Sequence, residues 1–337
     1  MDREQEEMQF LGLFGIYKEA CKIMYSWRKL LGQITLALIL PLSFILLAYI
    51  EVAVVLSSKI VHNEIVMDET RPGTPKYNKL SDLVRSEMTA IRLFRVAYFT
   101  VHLILSLLST SAVVYAIACF YTGREVSFNK VMSVVPKVWK RLMVTFLCSY
   151  LFFFVYNVAA IIVLAVMDFI GIVVFGPSKA TLISVFVLLV IMYLIGLVYM
   201  AIIWQLASVV SVLENTYGFR AMIKSKALIK GKIGVAIVVF LKLNISLVIV
   251  LFIFEKLVVH GQSLGTVNRT ASRILCLLLL LGLSLFGLVI QTVIYFVCKS
   301  HHHENIDKSA LSDHLEVYRG DYVPLTAKDV QLEQFYV

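Results

Sequence analysis

Gly261, Gln262, Ser263, Leu264 and Gly265 spell the G-x-S-x-G pattern of a nucleophile elbow. In serine hydrolases that turn lifts a serine hydroxyl toward a histidine base, and it needs a strand before it, a helix after it, and acid and histidine partners from a surrounding sheet. Here the five residues fill a short turn between two strongly apolar stretches, and His260 next door does not complete a triad. His301, His302, His303 and Glu304 could chelate a metal, yet they open a polar tail and read as a solvated segment beside a membrane. Cys21, Cys119, Cys148, Cys276 and Cys298 show no C-x-x-C pairing and make a poor disulfide framework. They read as structural thiols, with Cys298, at the exit of the last apolar stretch, the candidate for palmitoylation. No catalytic residue, metal site or cofactor-binding motif emerges, so the expected protein is non-enzymatic.

The elements that hold these residues follow from composition. With 60% hydrophobic and 16% charged residues, the chain departs from the roughly 45–50% and about 25% of soluble domains. Spanning about 30 Å of hydrocarbon takes around 20 apolar residues as a helix, because every backbone polar group must be satisfied within the segment. Six stretches qualify: 34–56, 96–122, 142–167, 180–213, 233–259 and 273–298. The expected organisation is a cytosolic N-terminus (1–33), a six-span membrane domain (34–298) and a flexible cytosolic tail (299–337). The charged start lacks the form of a cleaved signal peptide, so the first span is expected to act as an uncleaved signal anchor.

Three times a basic segment runs into such a stretch without a gap. Lys18, Lys130 and Arg220 fall in register, then Arg28, Lys140 and Lys230. Lys and Arg crowd the N-terminus, 123–141, 214–232 and the tail, while the turns 168–179 and 260–272 hold one each; the longer segment 57–95, with seven, is the exception, and the balance places both termini in the cytosol. The sequon at Asn268, Arg269 and Thr270 then lies outside, where glycosylation chemistry is available. The predicted fold is all-α and integral to a membrane: three repeated two-span hairpins, each preceded by a basic amphipathic cytosolic helix.

Leu13, Ile16, Tyr17, Ala20, Met24, Trp27 and Leu31 form the apolar stripe of the first of these helices, opposite Lys18, Lys22 and Lys29. Val131, Val134, Val135, Val138 and Leu142 form the second, with Pro136 expected to bend or restart it. Phe219, Met222, Ile223 and Ile229 form the third. Such helices suit the boundary between headgroups and acyl chains, where each cation is worth about 1 kcal/mol beside an anionic surface. The candidate anionic-lipid contacts are Lys18, Lys22, Arg28, Lys29, Lys130, Lys137, Lys140, Arg141, Arg220, Lys224, Lys226, Lys230 and Lys232. The competing assignment makes these helices elbows that pack between hairpins.

Within the spans Lys242 is the deepest charge, with Asn157, Gln205, Asn244 and Gln291 as polar companions and Glu51 and Glu255 nearer the outer ends. Such residues glue helices together or mark a polar route. Ser106, Thr110, Ala112 and Ala116 would let another helix come close to the second span. Loop 57–95 is expected to turn at Pro72–Pro75 and resume as an amphipathic helix through Leu80, Leu83, Val84, Met88, Ile91 and Phe94. In the tail, Tyr322–Leu325 has the form of an endocytic sorting signal, and the apolar, acidic run Val330–Val337 could dock a cytosolic protein.

Val212, Leu213, Glu214 and Asn215, then Tyr217–Ser225 and Ile229–Lys232, carry a resemblance. This stretch resembles the linker signature of a broad multi-pass family that includes the membrane domain of bacterial glycerophosphodiester phosphodiesterases. Tyr121–Ser127 resembles the matching linker of the preceding repeat, and the whole chain is similar to a group of uncharacterised plant transmembrane proteins. The resemblance implies the six-span fold and transfers no catalytic residue, since the phosphodiesterases' soluble barrel has no counterpart in this sequence. The expected function is a membrane scaffold or lipid-interacting protein at an endomembrane or plasma membrane. Its expected partners are anionic lipids, a cytosolic protein at the tail and a second copy of itself, not nucleic acid. The alternative is a transporter or channel with a polar route near Lys242.

Overall fold

The computed structural model describes residues 8–123, 126–175, 179–261 and 265–302, and the side chains of 168–175 and 179–182 are excepted. The elbow's Ser263, His303 and Glu304, and the tail with its sorting and docking motifs, lie outside these residues. Among the described residues every regular element is helical. We name them α1 (Leu13–Ser26), α2 (Arg28–Asp68), α3 (Pro75–Tyr121), α4 (Phe128–Phe175), α5 (Lys179–Leu213), α6 (Phe219–Leu228), α7 (Ile233–Val259) and α8 (Thr266–His301).

Six helices are long and apolar enough to cross a membrane: Arg28–Asp68, Pro75–Tyr121, Phe128–Met167, Ile183–Leu213, Ile233–Val259 and Thr266–His301. They fit a multi-pass membrane protein. The third is continuous through Pro136, where a bend or restart was expected. Pro41 behaves differently: a π turn over Thr35–Ile39 precedes it. A proline lacks its N–H and its ring crowds the carbonyl four residues back, so a local widening of the helix there has a clear cause. Segment 57–95 is mostly helix rather than loop, because α2 runs on to Asp68 and α3 starts at Pro75. Thr74 caps α3 by accepting the Tyr77 N–H at 3.3 Å, with Pro75 at the first helical position.

The chain divides into two compact units. The first comprises Met1–Arg28, Thr110–Leu241 and Leu288–Val337, the second Lys29–Ser109 and Lys242–Gly287. In the first, residues 110–119 of α3 are buried on every side. Ser111, Ala112, Ala116 and Ala118 allow that enclosure, since small side chains let neighbouring backbones approach. In the second, Leu47 of α2 packs with Val250, Phe254 and Val258 of α7 and with Cys276 and Leu280 of α8. Asn63 donates to Glu87 at 2.9 Å and fastens the extension of α2 to that of α3.

Candidate functional site: a basic helix end organised by Glu214

In the first unit a chain of contacts links the ends of several helices. Trp27, just past α1, meets Phe120 of α3 edge-on at 5.7 Å. Tyr121 lies against Phe296 of α8 at 4.5 Å between ring centres. Beside Phe296, Tyr295 donates its hydroxyl to Glu214 Oε1 at 2.6 Å. Glu214 stands immediately after α5 and also receives Lys224 of α6 at 2.6 Å and Lys299 of α8 at 3.4 Å.

Burial of Glu214 by itself raises its pKa, but the hydrogen bonds from Lys224 and Tyr295 and the charges of Lys299 and Lys224 outweigh it and hold the carboxyl below 4.5. The carboxylate is therefore ionised at neutral pH, and one acid ties α5, α6 and α8 together. The remaining bonds of this linker are also internal. Arg141 donates to Asn215 Oδ1 at 3.0 Å. Thr145 and Ser211 share a buried hydroxyl contact at 2.7 Å, and the Gly218 N–H donates to Thr145 Oγ1 at 2.8 Å. Ser225 donates to the Ile203 carbonyl at 2.8 Å. His302 Nε2 is 3.0 Å from both the Leu228 and Lys230 carbonyls, so that nitrogen carries the proton.

Against this frame the candidate lipid contacts sort into two groups. Lys18, Lys22, Arg28, Lys29, Lys130, Lys137, Lys140, Arg220, Lys226 and Lys230 are exposed. Arg141, Lys224 and Lys232 are half-buried, and two of them bind Asn215 and Glu214 rather than standing free. Of the expected apolar stripes, Ile16, Ala20 and Leu31 of the first and Val131, Val134, Val135, Val138 and Leu142 of the second are buried, whereas in the third Ile229 is buried but Phe219 and Ile223 are exposed.

The intramembrane polar residues divide similarly. Asn157 accepts from Tyr193 at 2.7 Å and donates to Phe153, while Tyr156 donates to the Tyr193 carbonyl at 3.0 Å. Gln291 donates to the Gln205 carbonyl at 2.5 Å and to Ser208 at 2.7 Å. These bonds join α4 to α5 and α5 to α8. In the second unit Lys242 is exposed and Asn244 half-buried, and no ion pair holds Lys242 among the described residues. Asn268 is exposed on the first turn of α8, not in a loop. Cys298 is fully buried and Cys21 is exposed, so the nominated thiol is closed to an acyl donor. Among the described residues no group of three or more His, Cys, Asp or Glu could hold a metal.

The profile of one family matches residues 1–335, nearly the whole chain. The chain belongs to the family described as "Domain of unknown function (DUF8558)". That match treats the N-terminal helix, the six apolar helices and the tail of this DUF8558 protein as one unit. No curated protein and no solved structure matches it. Sequence reading passed over Glu214, Tyr295 and Lys299 as a set. The available signal was an acid placed directly at the end of an apolar run.

Proposed function

We propose that the protein is a non-enzymatic membrane scaffold that engages anionic lipid headgroups through the exposed cations around the Glu214 node, on the cytosolic face and with both termini cytosolic. The observation that carries this reading is the division just described. Glu214 takes up Lys224 and Lys299, while Arg220, Lys226 and Lys230 on or beside α6 stay exposed with Lys130, Lys137 and Lys140 of α4. Fixed helices thus display cations whose headgroup attraction is not spent internally, each contributing about 1 kcal/mol beside an anionic leaflet.

Burial also supports a repeated design. With Lys130 aligned on Arg220, Val131 matches Ala221, Val135 matches Ser225 and Val138 matches Leu228, and each pair is buried. With Lys18 aligned on Lys130, buried Ile23 matches Val135 and Trp27 matches Trp139. Three hairpins, each led by a basic helix with one protein-facing side, account for this register. A cytosolic protein at the tail and a second copy of the chain remain the proposed protein partners.

The test is retention of anionic lipid by protein in nanodiscs, read by native mass spectrometry. Changing Arg220, Lys226 and Lys230 together to Glu is expected to reduce retention by at least tenfold, given roughly fivefold per cation. Lys224 is left intact because its loss would disturb Glu214. Equal retention by parent and triple variant would sink the proposal.

A further inference from the structure

The exposed side of α1 carries more than charge. Phe14 is 86% exposed, Phe10 79% and Tyr25 76%, and with Val267 these are the most exposed large apolar side chains among the described residues. At about 100° per residue, Phe14, Lys18, Cys21, Lys22 and Tyr25 fall within an arc of about 100°. Ile16, Ala20 and Ile23, each at most 1% exposed, lie on the opposite side. Among the described residues the helix is therefore packed on one side and exposed on the other. The Arg28 guanidinium sits over the Tyr25 ring at 5.6 Å and extends the arc with a further cation. Glu19, the only acid of α1, falls outside the arc and lies 3.8 Å from Lys22.

One contact sets the level of this helix: Trp27, just past it, packs edge-on against Phe120, one residue from the end of α3. The arc thus lies where an apolar helix ends, and α2 begins one residue after Trp27. Aromatic side chains interleaved with cations at that level match the boundary between headgroups and acyl chains.

We infer that the outward arc of α1, with exposed Phe10 just ahead of the helix and Arg28 just after it, is an anionic-membrane binding surface: Phe10, Phe14 and Tyr25 enter the headgroup–acyl boundary while Lys18, Lys22 and Arg28 hold anionic headgroups. This rests on the lipid-engaging reading above and adds a second, protein-distal side to the stripe that the sequence suggested.

Cys21 provides the probe, because it is the exposed one of five free cysteines and lies within the arc. The full chain carries an environment-sensitive fluorophore on Cys21, with Cys21→Ser as background, in nanodiscs of phosphatidylcholine with or without phosphatidylserine. The expected result is blue-shifted emission, quenched by nitroxide-labelled lipid, that strengthens with phosphatidylserine. Phe10→Ser, Phe14→Ser and Tyr25→Ser together should abolish the shift and the quenching. Lys18→Glu, Lys22→Glu and Arg28→Glu together should remove the dependence on phosphatidylserine. Emission that is unquenched by lipid, or indifferent to the serine changes, overturns the inference, including the case of a blue shift produced by a protein contact. The serine variant touches only exposed side chains, and its unchanged thermal unfolding would show that the fold is intact. If the parent retains anionic lipid and the Arg220, Lys226, Lys230 variant loses it while the Cys21 signal stays flat, the α1 assignment alone fails. If the parent retains none, the broader proposal fails.

Discussion

Arg273 grips Glu51 with two hydrogen bonds, Nε to Oε1 at 2.9 Å and Nη2 to Oε2 at 3.1 Å. The pair joins α8 to α2 within the second unit. Both side chains are partly exposed, so screening limits its worth. A double-mutant cycle with Glu51→Gln and Arg273→Gln, unfolded in micelles, is expected to give a coupling of about 1 kcal/mol. Additive single effects would show that the two-pronged geometry contributes nothing.

Glu214→Gln is expected to cost about 2 to 3 kcal/mol, because hydrogen bonds to an ionised group are lost and Lys224 and Lys299 are left without their counter-charge. The pH dependence follows from the lowered pKa. An acid that ionises more readily when folded stabilises fully above 4.5, its ordinary value, and loses that contribution as pH falls through the folded value. Hydrogen exchange over residues 295–302 should stay slow from about pH 7 to about pH 5 and quicken below about pH 4 once corrected for intrinsic rates. The Gln variant should lack that step, and a step of equal size in both proteins would rule Glu214 out as its source.

Gly218 adopts φ 64° and ψ −133°, a conformation that essentially only glycine tolerates. A Cβ there would lie in ordinary van der Waals contact with Val144 Cγ1 at 3.4 Å and Cys148 Sγ at 3.5 Å, so the backbone conformation alone sets the cost. Gly218→Ala should therefore cost about 1 to 3 kcal/mol in thermal unfolding. Gly282, within α8 and open on all sides, is the control. Its change to Ala should be neutral or stabilising by up to about 1 kcal/mol, and equal losses at both sites would remove the conformational explanation.

Tyr193→Phe removes the hydroxyl that reaches Asn157 and should cost about 0.6 kcal/mol, the usual worth of an interhelical hydrogen bond in a membrane protein. Steric-trap unfolding in bicelles measures it. A loss above about 3 kcal/mol would make this pair more than helix glue.

The sequence by itself determined that six helices are long and apolar enough to cross a membrane, because hydrocarbon leaves no partner for a free backbone amide, but not where they end, since α2 runs on to Asp68 and α3 starts at Pro75. It also determined the buried stripe of α4, since Val131, Val134, Val135, Val138 and Leu142 recur at the helical period. Periodicity identifies an apolar face but not what covers it. Only the tertiary structure decided that Ile16, Ala20 and Ile23 face protein while Phe10, Phe14 and Tyr25 are left outside. Only it separated Lys224 from Lys226, two residues alike in type, by placing Glu214 2.6 Å from the first. Glu214, Tyr295 and Lys299 come from distant parts of the chain, and a carboxylate's choice of cation depends on a few ångströms that no local spacing encodes.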